Sequence, residues 1–498
     1  MNLGPEAISR RTFILSGAAA VGTAGAAALL WPANSQGVAT AAAGGSDGLV
    51  RLTAGTGVRH SFGPGREEPN AWAYNGQVPG PGIRARVGDR LRVVVDNKLE
   101  EGTTVHWHGV RVPNAMDGVP ELTQKSILPG EKFVYEFPLH DAGTFWYHPH
   151  QRSFEQVGRG LYGPLIVEET DPIKVDRDIT WMLDDWRLDG QGQISGGFGS
   201  RHDATMSGRI GNTVTINGRL PQPLSVRTGE RIRLRLINAA NARIFGLNFE
   251  GHQPRIIAID GQPVTPHRPD GPILLGPAMR VDVVLDMMSE PGTRSRIRDG
   301  FYEGLQYDLT QIHYSGQPLR EQPLTTPIAL EPNPLQEPTL NGAQRHEVVF
   351  EGGMMGMMGG GGMDRERGGG GMMMNAGQTR GGMMGGSSNM MGWTVNGVSA
   401  SGHVHDPILT LPQGQSVVMT LKNKTAWWHP IHVHGHSFRV LSRNGKATAH
   451  KEWQDTVLMS PQETAEIAFV ADNPGDWMLH CHILEHQAAG MMATFRVA

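Results

Sequence analysis

Histidines separated by a single residue recur through this chain. They stand in His106-Trp107-His108, in His148-Pro149-His150, in His429-Pro430-Ile431-His432-Val433-His434, and in His480-Cys481-His482-Ile483-Leu484-Glu485-His486, with Met491 following. On a strand, residues i and i+2 project from one face, so each pair offers two imidazoles side by side to one ion. A single pair is commonly a surface coincidence, whereas four in one chain form the ligand set of a multinuclear metal site. The only cysteine, Cys481, lies inside the last cluster, so no disulfide forms within the chain. His429, Cys481 and His486 with Met491 are the ligand composition of a blue-copper electron-transfer centre, two His, one Cys and a weak axial Met. Zinc accepts Cys and His as well, but it takes four tetrahedral ligands and leaves eight further histidines unexplained. Copper ligation would also protect an unpaired thiol from oxidation in an oxidising compartment.

The elements that must carry these residues follow from an internal repeat. Ala73-Tyr74-Asn75-Gly76, Thr215-Ile216-Asn217-Gly218 and Thr394-Val395-Asn396-Gly397 each lead to a second glycine turn. Each turn opens a run that alternates polar and apolar residues, Arg90 to Val95, Arg231 to Leu236 and Ser416 to Leu421. Asn-Gly turns before period-2 runs predict half-buried strands. The unit is about 140 residues, and three consecutive β-sandwich or barrel domains follow, with boundaries near 170 and 335. Gly88 to His106 and Gly414 to His432 are both 18 residues, and Gly143 to His148 and Gly475 to His480 are both 5. The first and third units therefore hold four imidazoles each at matched positions, suited to a site at the interface between them. In the middle unit Leu247 and Phe249 occupy the ligand positions, so it is expected to carry no copper. His429, Cys481, His486 and Met491 belong to the third unit alone.

The chain has 498 residues, 44 Lys+Arg against 48 Asp+Glu, and basic residues scattered along it, so it lacks the footprint of a nucleic-acid binder. Its 67 Gly and 33 Pro favour short strands and turns over a helical bundle. Ser9-Arg10-Arg11-Thr12-Phe13-Ile14-Leu15 precedes an uncharged Ala/Gly-rich stretch and small residues around Ala39-Thr40-Ala41, a twin-arginine export signal over residues 1–43. Export to a periplasm, cell envelope or medium is expected, with no stable membrane anchor after cleavage. A monomer is sufficient, because one chain holds all four clusters.

At these clusters the sequence resembles the multicopper oxidases, the family of laccases and bacterial cuprous oxidases, over residues 48–498. The resemblance implies an all-β chain of three cupredoxin-like Greek-key sandwiches, 48–170, 171–335 and 336–498, holding four copper ions. It assigns a type 1 copper to His429, Cys481 and His486 with Met491 axial, and a type 2 copper to His106 and His432. It assigns one ion of the type 3 pair to His108, His148 and His482, and the other to His150, His434 and His480. It also implies that substrate is oxidised one electron at a time at the type 1 site, and that O2 is reduced to two waters at the trinuclear cluster. Asp117, 11 residues after His106, matches the family's acidic residue near the cluster and is the candidate proton donor or ligand orienter. A second acid of the family, directly after the last type 1 histidine, is replaced by Gln487, so its role does not carry over. Met491 in place of Leu or Phe implies a lower type 1 potential.

Residues 352–392 form an insert in the third unit, with 12 of the 24 methionines between Met354 and Met391. Thioethers are soft ligands for Cu(I), so Met354, Met355, Met357 and Met358, with Asp364 as a harder donor, are the candidate substrate site. Thr425 and Trp427 stand where enterobacterial cuprous oxidase has an acid and a Met at its substrate copper. The expected reductant is Cu(I); small phenolic or aromatic amine reductants are the laccase-like alternative, and non-catalytic copper sequestration is the other.

Overall fold

The computed structural model describes residues 49–64, 67–354, 392–400 and 406–498, and the backbone of 40–42. The twin-arginine segment and Met355, Met357, Met358 and Asp364 lie outside the described residues. Among the described residues no helix is long and apolar enough to cross a membrane.

The strands fall into three pairs of sheets along the chain, which is the all-β, three-sandwich architecture. The first pair joins a sheet containing Leu49–Arg59 and Arg90–Asn97 to one in the order Thr40–Ala42, Gly82–Arg86, Gly163–Glu168, Gly143–His148, His106–His108. Thr40–Ala42 lies within the expected export signal, and because it forms that sheet's outer edge its removal leaves the remaining ladder whole. The second pair spans Arg177–Trp186 to Tyr307–Tyr314, and the third Gln344–Gly352 to Met492–Val497. Alternation explains the packing. Leu91, Val93 and Val95 of Arg90–Asn97 point into the first core with Trp107, Tyr135 and Phe137, and Trp181, Leu234 and Val283 fill the second. The third core gathers Val417, Met419, Leu421, Ile431 and Trp477.

The repeated turns have one geometry. Asn75, Asn217 and Asn396 take φ of 54°, 51° and 51°, the left-handed region that Asn tolerates. Each Asn side chain also extends a neighbouring strand's ladder by accepting from the N–H of Thr53, Met182 and Val349 respectively. A second asparagine repeats as well. Asn97, Asn238 and Asn423 each donate to one carbonyl of the following loop, Glu101, Arg243 and Trp427, and to one carbonyl from a segment 30 to 37 residues on, Ile127, Leu275 and Ser460. These buried bonds fix the loop nine residues ahead of His106, Leu247 and His432, which is how the fold delivers the same strand position in all three sandwiches.

Candidate metal centre

Strand register brings the clusters together. In the first sandwich His106 pairs directly with His148, and in the third His432 pairs with His480 and Ile431 with Cys481. The equivalent strand of the middle sandwich, Phe245–Phe249, presents buried Leu247 and Phe249 to its own core.

Eight buried imidazoles from the first and third sandwiches converge. His106 stacks on His434 with ring centroids 4.0 Å apart, and His108 on His432 at 3.8 Å. The hydrogen bonds fix which ring nitrogen carries the proton. His106 and His432 donate from Nδ1 to the carbonyls of Asp117 and Asp455, both at 2.8 Å, so each Nε2 carries a lone pair, buried and without a partner. His434 donates from Nδ1 to Asp117 Oδ2 (2.8 Å) and His480 to the Cys481 carbonyl (2.9 Å), yet their Nε2 atoms face each other at 3.0 Å. His148 donates to the Pro149 carbonyl and turns Nε2 towards Nε2 of His482 at 3.4 Å. At His434 and His480 two lone pairs are thus held face to face in a dry interior, where they repel unless a cation lies between or beside them, so the donor set fits metal ions. Nδ1 of His108 and His482 and Nε2 of His150 are also buried and unpartnered. His150, His434 and His480 form one group whose ligand atoms lie within 4.8 Å of one another, and His106, His108 and His148 form another.

The residues expected at a type 1 site form a second compact group in the third sandwich. Cys481 Sγ lies 3.4 Å from His429 Nδ1 and 3.8 Å from His486 Nδ1, and the two nitrogens are 3.2 Å apart. The outward nitrogens are held: His429 Nε2 meets the buried Thr425 hydroxyl at 2.8 Å, and His486 Nε2 donates to the Met206 carbonyl at 2.7 Å. Met491 is fully buried, and its backbone bonds to both Cys481 and His486. Trp393 packs on His429 and His486 at 5.0 and 4.3 Å and donates its indole N–H to the Ala204 carbonyl.

Burial depresses the imidazoles. His108, His148, His150, His429, His432, His434, His480 and His482 are all held below the ordinary 6.5, and His486 is pushed down to about 3. The same burial pushes the Cys481 thiol up, so it ionises only beside a cation. These nine imidazoles are thus neutral bases at physiological pH, beside one reluctant thiol. Asp117 is buried and bridges the sandwiches, taking His106 by its carbonyl and His434 by its carboxylate.

A cavity of about 230 Å3, lined by His150, Gln151, Ser153, Val119, Met478 and Gln487 among others, reaches this group. Gln487 therefore sits at a wall between bulk water and the imidazoles. Met354 is exposed, with its N–H on the Thr205 carbonyl at 3.1 Å.

Sequence reasoning missed Asp455, Thr456, Arg280 and Asp260, which lie behind His108 and His432, and Trp393 and the 204–206 segment, which cover the type 1 residues. Their partners are far away in sequence, and only the repeated Asn97, Asn238 and Asn423 left a readable signal.

Comparison with known proteins gives matches to multicopper oxidase family models over residues 59–172, 177–294 and 376–498. The chain is 32% identical to multicopper oxidase MmcO of Mycobacterium tuberculosis over 84% of this chain and 81% of that protein. It is 28% identical to copper resistance protein A of Pseudomonas syringae pv. tomato, over 98% of this chain and 99% of that one. A solved multi-copper oxidase from Pseudomonas thermotolerans is similar with a TM-score of 0.77 and 34% identity, covering 90% of this chain and 99% of its own.

Proposed function

This chain belongs to the multicopper oxidase family and is a copper-dependent oxidoreductase, and from that premise we propose that it is an exported cuprous oxidase serving copper tolerance. The observation that carries the choice of substrate is where the Met-rich segment joins the fold. Its first flank, Met354, is bonded to Thr205, and its second, Trp393, is bonded to Ala204 and packed on both type 1 imidazoles. Both flanks of the segment thus lie beside the type 1 residues, and soft thioethers supplied there would gather Cu(I).

His429, Cys481 and His486, with Met491, would hold the type 1 copper, and His106 with His432 the type 2 ion. The sets His108, His148, His482 and His150, His434, His480 would hold the type 3 pair. When bound, these four ions supply one-electron oxidation of substrate and four-electron reduction of O2 to water. The chain's part is positional. Cys481 is bonded through the backbone to both His480 and His482, and His480 donates to the Cys481 carbonyl, so the two groups of ligands are joined covalently and by a hydrogen bond. Carbonyl acceptors set the His106 and His432 tautomers before any ion arrives, which removes reorganisation from loading. Asp117 orients His106 and His434 and is the candidate proton donor beside them.

The test is steady-state O2 uptake with chelator-stabilised Cu(I) or with a phenol, for the copper-loaded protein and a variant lacking residues 355–391. The reading expects the Cu(I) rate to fall at least tenfold on deletion while the phenol rate holds. Uptake with phenols and none with Cu(I) in the intact protein would make it laccase-like, and copper binding without uptake would make it a sequestering protein.

A further inference from the structure

Two aspartates hold the imidazoles where the first and third sandwiches meet, and they do so in mirrored fashion. Asp117 takes His106 of its own sandwich by its carbonyl and His434 of the other by its carboxylate. Asp455 takes His432 of its own sandwich by its carbonyl and Nε2 of His108 of the other by Oδ1 at 3.1 Å. The pair differs in what stands behind it. Among the described residues Asp117 has no basic side chain in contact other than imidazole, and its Oδ1 lacks a hydrogen-bond partner. Asp455 is met by the guanidinium of Arg280, which belongs to the middle sandwich and is fully buried.

All five N–H donors of Arg280 are used. Nη1 donates to Asp455 Oδ1 at 2.9 Å and to the Ala278 carbonyl at 3.2 Å. Nη2 donates to Asp455 Oδ2 at 2.5 Å and to the Asp260 carbonyl at 2.9 Å, and Nε to the Thr144 carbonyl at 3.1 Å. One side chain therefore ties together all three sandwiches: Thr144 from the first, Asp260 and Ala278 from the second, Asp455 from the third. Asp260 completes the mount by accepting the backbone N–H of Arg280, Asp455 and Thr456. The space is closed as well. A Cβ at Gly109, the residue after His108, would lie 2.1 Å from Arg280 Nη2 and 2.5 Å from Asp455 Oδ2.

We propose that Arg280 is a positioning residue of the trinuclear ligand set: by clamping both carboxylate oxygens of Asp455, it fixes the tautomer and tilt of His108 and the seat of His432. The middle sandwich, which has Leu247 and Phe249 where its relatives carry ligands, thereby acts on copper it does not touch. A bidentate, planar clamp requires arginine, since a lysine ammonium has neither the fork nor five donors. Partners behind a metal-bound histidine typically change metal affinity 10–100-fold when removed. The inference rests on the reading of the histidines as copper ligands, which the copper content and blue band of the unaltered protein test separately.

The experiment uses the full chain, loaded with copper and dialysed against a graded chelator series, for wild type, Arg280→Met, Arg280→Lys, Asp455→Asn and the double variant R280M/D455N. Copper per chain, blue absorbance and the type 2 paramagnetic signal are read at each chelator concentration, with thermal unfolding of the copper-free proteins. The ligands of the blue centre all come from the third sandwich and none touches Arg280 or Asp455, so it serves as an internal control for folding. R280M is expected to keep the blue band and lose the remaining copper at 10–100-fold lower chelator concentration, with R280K restoring only part. D455N is expected to match R280M, and the double variant to be no worse than either, because Arg280 acts through Asp455. Retention curves identical to wild type would overturn the proposal. So would loss of blue and non-blue copper in step with a lowered unfolding temperature, and so would additive effects in the double variant. Should R280M fail to fold, D455N and R280K decide the question by the same criteria.

Discussion

Copper loading of this protein should release far fewer protons than its histidine count suggests. A metal-ligating imidazole must be unprotonated, so a site built from ordinary histidines expels protons when it fills. At pH 6.0 an imidazole with the ordinary value of 6.5 is about three-quarters protonated, and nine of them would release roughly seven protons. In this structure nine ligand imidazoles are held below that value because burial disfavours their charged form, His486 down to about 3. Burial therefore favours their neutral form in the copper-free fold at pH 6.0. The Cys481 thiol moves the other way and must give up its proton on ligation. The thiol contributes a full proton and the depressed imidazoles less than their ordinary share, so the expected release is well below the roughly seven protons of ordinary histidines. The assay is anaerobic titration of copper-free protein with Cu(I) in weak buffer at pH 6.0, with proton release followed by an indicator dye. Release of more than about four protons would show that the imidazoles are solvated and charged before loading, and the account of a preformed, dry ligand set would fail.

The same depressed values destabilise the copper-free fold in acid: His486, kept neutral down to about 3, alone costs about 2 kcal/mol at pH 5.0 relative to an unfolded chain that binds the proton, a loss that begins as pH falls through 6.5, and the other buried imidazoles act in the same direction. Buried Asp184, Asp185 and Glu485 are shifted upward by burial and oppose part of it, so urea midpoints should fall more steeply below pH 6.5 after these three are replaced by their amides. Thr425→Val removes the hydroxyl on His429 Nε2 and leaves a buried nitrogen unpaired, for a loss of about 1–3 kcal/mol in urea unfolding and an altered blue spectrum. Gly118→Ala places a Cβ 2.0 Å from the Val105 carbonyl at φ 81°, so a loss of about 3 kcal/mol or more and poor soluble yield are expected next to Asp117. Asp117→Asn should leave anaerobic bleaching of the blue band by substrate unchanged while slowing its return on adding O2 by about 100-fold or more, read by stopped flow.

The clustering of the candidate ligand residues was legible because its information is local. His-x-His on a strand sets two donors on one face, and the equal spacings from Gly88 and Gly414 place His106 and His432 at the same point of two similar sandwiches. The three Asn-Gly turns were equally readable, and the structure gives each Asn the left-handed backbone that such a turn needs. What supports the ligands was not legible. Arg280 and Asp455 are 175 residues apart, and Asp117 and His434 are 317 apart, so no spacing rule connects them. A buried Arg on a strand reads in sequence as an exposed charge, and only the packing of three sandwiches turns Arg280 inward. Thr425 reads as a missing acid, whereas in the fold its hydroxyl takes over the outer nitrogen of His429.

The central claim is that this chain couples one-electron oxidation of a substrate to complete reduction of O2, and one stoichiometry tests it. Copper-loaded protein is reduced anaerobically with stabilised Cu(I) until the blue band bleaches, then given limiting O2 while Cu(I) consumption, O2 consumption and hydrogen peroxide are measured together. The account predicts return of the blue band with four Cu(I) oxidised per O2 and no peroxide. Two Cu(I) per O2 with peroxide accumulating, or bound copper that never shows a blue band, would contradict it.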